Sequence, residues 1–189
     1  MKKTILFLTG NKEKIIAARL ALEGTGFDLT AKKVDIPEIQ ADDVCEVAKA
    51  FAKSASDILK KAVVKIDTGL FIEALNGFPG VYSAYVEKRL KAKDILGLME
   101  GVKNRKAYYK DALAYCEYGK EPVVFEAYTY GSISEKEDGK FGIGFDTIFI
   151  VDGDPKTMAN YDDEERIQKF DTEVWKKLVE YLKSDMRKK

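Results

Sequence analysis

Three short stretches hold residue types suited to binding and cleaving a phosphate chain. The first is Thr9-Gly10-Asn11-Lys12-Glu13-Lys14. The apolar run Thr4 to Thr9 precedes it, and Ile15, Ala18 and Leu22 follow at helical spacing, so it sits at a strand-to-helix junction. The first turn of a helix leaves amide protons unpaired and carries partial positive charge; Gly10 permits close approach and Lys14 adds a cation. Asn11 equally fits the ordinary role of capping the helix, with Lys14 solvated. The second stretch is Ile66-Asp67-Thr68-Gly69-Leu70, followed by Leu75-Asn76-Gly77-Phe78-Pro79-Gly80-Val81-Tyr82-Ser83. Asp67 reads as the end of a buried strand, where ligands of α/β sheets gather, and its carboxylate can hold Mg²⁺ or cap a turn through Thr68 and Gly69. The third is Gly142-Ile143-Gly144-Phe145-Asp146-Thr147-Ile148-Phe149. An aromatic ring beside a carboxylate on a glycine-rich loop can stack on a nucleobase and accept hydrogen bonds from its edge, or pack as core beside a turn aspartate.

The elements that must position these stretches follow from periodicity. Strand, turn and helix open the chain; Phe27 to Val34 alternates as a strand, Val44 to Lys61 carries apolar residues at helical intervals, and Ala62 to Ile66 is a second apolar run. This α/β alternation favours a parallel inner sheet. Ala107 to Glu117 and Pro122 to Ile133 read as two long strands around Tyr118-Gly119-Lys120-Glu121, an antiparallel hairpin. Glu164 to Lys183 places Ile167, Val174, Leu178 and Leu182 on one helical stripe, and the polar tail from Ser184 to Lys189 is expected to fray. The aromatic residues Tyr108, Tyr109, Tyr115, Tyr118, Phe125, Tyr128 and Tyr130 lie along the expected strands and read as sheet packing or a subunit contact.

Composition narrows the chemistry. At 189 residues and 46% apolar content, one domain spanning 1–189 can bury its own core. Lys plus Arg and Asp plus Glu balance at 32 each, so no net field draws the chain to nucleic acid or an anionic membrane. No leader or long apolar run marks export or membrane insertion, and Cys45 and Cys116 are too few for a disulfide framework; a cytoplasmic protein is expected. Histidine is absent, which removes Ser-His and Cys-His catalysis and the usual zinc ligand. Carboxylates, lysines, hydroxyls or a bound metal must do the work.

Taken in order, the stretches resemble the inosine triphosphate pyrophosphatase family. The likeness begins with Thr9, Asn11 and Lys14 and continues through Pro37-Glu38, Asp67-Thr68-Gly69-Leu70 and Leu75-Asn76-Gly77-Phe78-Pro79-Gly80-Val81-Tyr82-Ser83. Gly131-Ser132-Ile133 and Gly144-Phe145-Asp146-Thr147-Ile148-Phe149 complete it. The resemblance implies an α/β fold with an elongated, mixed, twisted sheet and helices in two lobes around a central cleft, a homodimer, and Mg²⁺-dependent conversion of a deaminated purine triphosphate to monophosphate and pyrophosphate. By position, Thr9, Gly10, Asn11 and Lys14 would engage the triphosphate, with Lys14 and Asp67 serving catalysis. Glu38 and Asp67 would hold metal or orient water, Lys53 would add positive charge, and Thr68, Gly144, Phe145, Asp146 and Arg166 would complete substrate binding.

The sequence also departs from that family. Its Ser-His-Arg element before the last helix is absent from Arg166-Ile167-Gln168-Lys169-Phe170-Asp171-Thr172, where Arg166 and Lys169 are the available cations; Ile66 and Asn160 stand where acids are usual. Three readings follow: a pyrophosphatase for inosine or xanthosine triphosphates, one with base preference shifted towards a pyrimidine or another modified nucleotide, and a nucleotide-binding homologue without catalysis.

Overall fold

A computed structural model describes residues 3–170 and 172–187 of the chain. The strands are β1 (Lys3–Phe7), β2 (Phe27–Ala31), β3 (Val63–Ile72), β4 (Pro79–Gly80), β5 (Lys106–Cys116), β6 (Val123–Ile133) and β7 (Phe149–Val151). The helices are α1 (Lys12–Leu22), α2 (Val44–Leu59), α3 (Ser83–Glu87), α4 (Ala92–Leu98), α5 (Asp163–Phe170) and α6 (Glu173–Arg187). Strand order is β2-β1-β3-β5-β6-β7, with β4 pairing β3. The sheet is mixed as expected: β1 runs parallel to both β2 and β3, whereas β4 is antiparallel to β3 and β7 to β6. The chain packs as two compact units, Met1–Asp67 with Asp111–Ala127 and Ile167–Lys189, and Thr68–Lys110 with Tyr128–Arg166.

In the first unit the alternation of β1 and β3 sends Ile5, Phe7, Val64 and Ile66 into one core with Ala18 and Leu22 of α1 and Val174, Trp175 and Leu178 of α6. Trp175 meets the Phe7 ring edge-on at 5.0 Å. Helix α2 buries Val44, Val47, Ala48, Phe51 and Ala55, positions that share one helical face. Asp43 caps its start by accepting the Cys45 N–H at 2.9 Å, and Lys60 ends it in the left-handed conformation. Each large apolar side chain so buried contributes about 1.5–3 kcal/mol, which fixes β1 and β3 in register.

The second unit is organised by the longest motif. Leu70 and Phe71 of β3 pair with Gly80 and Pro79 of β4, and the Ser83 hydroxyl accepts the Leu70 N–H at 2.8 Å while donating to the Gly80 carbonyl at 2.7 Å. A Cβ on Gly69 would stand 2.6 Å from the Gly80 oxygen, so glycine is required by the close approach. Arg105 stitches the far side of this unit, donating to the carbonyls of Ile133, Met99 and Ser134. Around them Leu70, Ile72, Ile95, Met99, Phe145, Ile148 and Phe149 are fully buried.

Three expectations change. Strand β3 does not end at Asp67 but continues to Ile72. The stripe from Glu164 to Lys183 is divided between α5 and α6, and the Thr172 carbonyl accepts the Lys176 N–H to open the second helix; threonine is a helix-starting residue type, and periodicity alone runs through it unnoticed. Helix α6 reaches Arg187, so residues 184–187 are helical rather than frayed, with the Ser184 hydroxyl donating to the Tyr181 carbonyl. Lys188 and Lys189 lie outside the described residues. Among the described residues no helix is long and apolar enough to cross a membrane.

Candidate active site

The site in the first unit is made by strands of unequal length. Strand β1 stops at Phe7, with a last ladder bond from the Leu8 N–H to the Val64 carbonyl at 2.8 Å. Two residues further along β3 the Ile66 carbonyl points the same way, beyond the end of β1, and the ammonium of Lys14 approaches it at 3.4 Å. Asp67 thus lies where its neighbour has ended, although its own strand goes on. The turn that follows β1 is self-supporting. Thr9 Oγ1 accepts the Asn11 N–H at 3.1 Å, and Asn11 Oδ1 accepts the N–H groups of Glu13 and Lys14 at 2.8 and 3.2 Å. Asn11 is therefore the cap of α1, one of the two roles the sequence left open. Gly10 leaves room for the aliphatic stem of Lys33, whose Cδ would be 3.2 Å from an added Cβ.

On the opposite face of β3, Lys65 and Asp67 are two residues apart and so share a side, while Val64 and Ile66 point into the core. The Lys65 ammonium is 2.5 Å from Glu38 Oε1 and 4.2 Å from the centroid of the Phe51 ring. Glu38 thereby joins the face that carries Asp67. Lys65 was missed in the sequence. The available signal was a single cation within Ala62-Val63-Val64-Lys65-Ile66, two positions before the motif aspartate. Lys53 lies on α2 with its ammonium 2.8 Å from Asp57 on the next turn. The Asp57 hydrogen bond and charge, with Glu121 nearby, raise its pKa against a smaller desolvation effect.

The second unit holds a different arrangement. Asp146 and Arg166 are both buried, with Arg166 Nη1 3.0 Å from Asp146 Oδ2, which also accepts the Ile143 N–H at 2.9 Å. Arg166 Nη2 reaches Asp163 at 3.1 Å within α5. Two glycines of the loop make way for carboxylates: Gly142 (φ 73°) for Asp146 and Gly144 (φ 58°) for Glu87, each of which an added Cβ would strike. Phe145, expected to face a base, is fully buried, while Phe141 and Ile143 of the same loop are exposed. Thr68 is half-buried on β3. Asn160 donates to Asp138 Oδ2 and Thr157 Oγ1, so the residue standing where an acid is usual serves as an amide donor. Ile66, at the other such position, belongs to the core of the first unit. The side chain of Lys169 lies outside the described residues.

The donor set fits a hard divalent ion shared with substrate. Among the described residues no group of three or more acidic, histidine or cysteine side chains could hold a metal. Glu38 and Asp67 supply carboxylate oxygens to one side of β3, and Mg²⁺ is commonly bound by one or two carboxylates together with substrate phosphates.

These motifs are embedded in a likeness that runs the length of the chain. The family model described as the Ham1 family matches residues 5–169. This chain belongs to the Ham1 family. Among Ham1 relatives, the dITP/XTP pyrophosphatase of Methanopyrus kandleri is 39% identical over 183 residues, covering 96% of this chain and 97% of the relative. That of Thermococcus kodakarensis is 42% identical over 162 residues, covering 86% and 87%. The solved Ham1 protein of Staphylococcus aureus superposes with a TM-score of 0.82 at 25% identity, covering 97% of this chain and all of that one (100%). A HAM1 protein from Coxiella burnetii shares the fold with a TM-score of 0.84 at 23% identity, covering 96% and 99%. The Ham1 match includes Thr9, Glu38, Asp67, Asp146 and Arg166.

Proposed function

We propose that this Ham1 protein hydrolyses deaminated purine nucleoside triphosphates, ITP, dITP and XTP, to monophosphate and pyrophosphate, removing them from the nucleotide pool of the cytoplasm. The carrying observation is the set of ammonium and carboxylate groups around the point where β1 ends beside β3, with Lys14 at the Ile66 carbonyl and Lys65 on Glu38. Relatives named for dITP and XTP pyrophosphatase activity supply the substrate class.

In this reading the Lys14 ammonium holds the phosphate chain beside the turn Thr9-Gly10-Asn11, since an ammonium donor matches phosphate oxygens. Asp67 takes the proton of the water that attacks the α-phosphorus; a new P–O bond forms as the α–β bridging bond breaks and pyrophosphate leaves. Glu38 and Asp67 would hold Mg²⁺, which would supply charge neutralisation to the triphosphate. In the second unit the buried Asp146–Arg166 pair fixes the loop assigned to the base. The exposed Tyr128 and Tyr130, stacked at 5.9 Å and joined by Tyr108 and Phe71, support a homodimer contact.

The test is a panel of single triphosphates with Mg²⁺, with monophosphate and pyrophosphate quantified. Preference for ITP, dITP and XTP is expected; release of orthophosphate alone would refute cleavage at the α-phosphorus. A preference for pyrimidine triphosphates would select the shifted-base reading, which the absent Ser-His-Arg element favours. Asp67→Asn is expected to lower turnover about 100-fold or more while leaving nucleotide affinity within a few-fold.

A further inference from the structure

Lys65 has no assigned role in the reaction just described, yet it is firmly held. It sits on a strand flanked by β1 and β5, its side chain is only 15% exposed, and the Phe51 ring lies beneath its ammonium. Its ion-pair partner is held far less firmly: Glu38 is 49% exposed and belongs to the irregular segment of residues 32–43. An ion pair with one solvated member contributes little stability, about 0–1 kcal/mol, so it exchanges partners at small cost. To an ammonium a phosphate oxygen is an equivalent acceptor.

The parallel register Phe7↔Val64 puts Lys65 level with Leu8, one strand spacing away, about 4.8 Å, and immediately before the turn Thr9-Gly10-Asn11. Lys14 reaches the Ile66 carbonyl from the α1 side of the sheet, and Lys65 projects from the α2 side, where Phe51 lies. The two ammonium groups therefore flank, from opposite faces, the gap left where β1 stops.

We propose that Lys65 is a phosphate-contacting residue and that Glu38 occupies its ammonium only until a phosphate oxygen takes that place. Glu38 is thereby kept beside Asp67 in the empty protein and released towards the metal as substrate arrives. This inference rests on the pyrophosphatase reading and adds to it a residue and an order of partner exchange.

The experiment is calorimetric binding of inorganic tripolyphosphate to the full chain in the presence of a chelator, so that neither metal nor turnover enters. Lys65→Met, which keeps an unbranched stem over Phe51, is expected to weaken binding about tenfold, and Lys65→Arg to restore it to within about threefold. Glu38→Gln is expected to act in the opposite direction and tighten binding, because it removes both a competitor and a repelling charge. If Lys65 served only to order Glu38, both Lys65→Met and Glu38→Gln would shift affinity in the same direction, and the proposal would be overturned. Unchanged affinity in Lys65→Met, with a native circular dichroism spectrum, would overturn it too. Should Lys65→Met not fold, loss of the tightening in Glu38→Gln decides the matter equally. A wild-type chain that binds no tripolyphosphate would refute the phosphate site itself, an outcome separable from failure of Lys65 alone.

Discussion

The two units carry ion pairs of similar length and opposite character. In the first, Lys65 and Glu38 meet at 2.5 Å with side-chain exposures of 15% and 49%. In the second, Arg166 and Asp146 meet at 3.0 Å with exposures of 3% and 9%. Water competes for the first pair and hardly reaches the second. A solvated pair gains little and is exchanged readily, whereas removing one member of a buried pair strands the other in a poorly polarisable medium. The contrast matches the tasks proposed for each unit. Groups that take up and release a phosphate chain and its metal must trade partners at each turnover. Groups that shape a wall for a base must keep theirs.

The comparison is tested most severely at Arg166. Arg166→Met takes the guanidinium away from the buried Asp146 carboxylate, and a loss of about 3–5 kcal/mol in stability is expected from urea unfolding. Combining it with Asp146→Asn should recover part of that loss, because the stranded charge is then gone. A single-variant loss below about 1 kcal/mol would erase the distinction between the units. Phe145→Ala probes the same loop through packing. A fully buried phenylalanine is expected to lose about 3–5 kcal/mol on truncation, while the exposed Phe141 truncated likewise should leave the unfolding midpoint almost unmoved. The smallest effect belongs to the first unit: Glu38→Gln should change stability by less than about 1 kcal/mol, measured by the same unfolding curve.

Sequence revealed the start of the site well and its surroundings unevenly. The β1 turn and α1 were legible because glycine, asparagine and helical spacing all agree over Gly10 to Leu22. The length of β3 was hidden, since Asp67-Thr68-Gly69 are turn-forming types; pairing with β4 and the Ser83 hydroxyl override that preference. Lys65 was passed over because a lone lysine in an apolar run gives no periodic signal, and its meaning comes from the segment around Glu38 folding onto it. The burial of Phe145 and the pairing of Lys53 with Asp57 depend on which way a side chain turns, which residue type alone does not fix.

One hydrogen bond offers a reporter for this chemistry. The Leu70 amide, three residues beyond Asp67, is held by a hydroxyl, and that hydroxyl is held in turn by the Gly80 carbonyl. Deuterium uptake at this one amide therefore follows the rotamer of Ser83 rather than the parting of two strands. An isotope label read there would register a disturbance spreading along β3 from Asp67 without any dye, tag or substrate analogue.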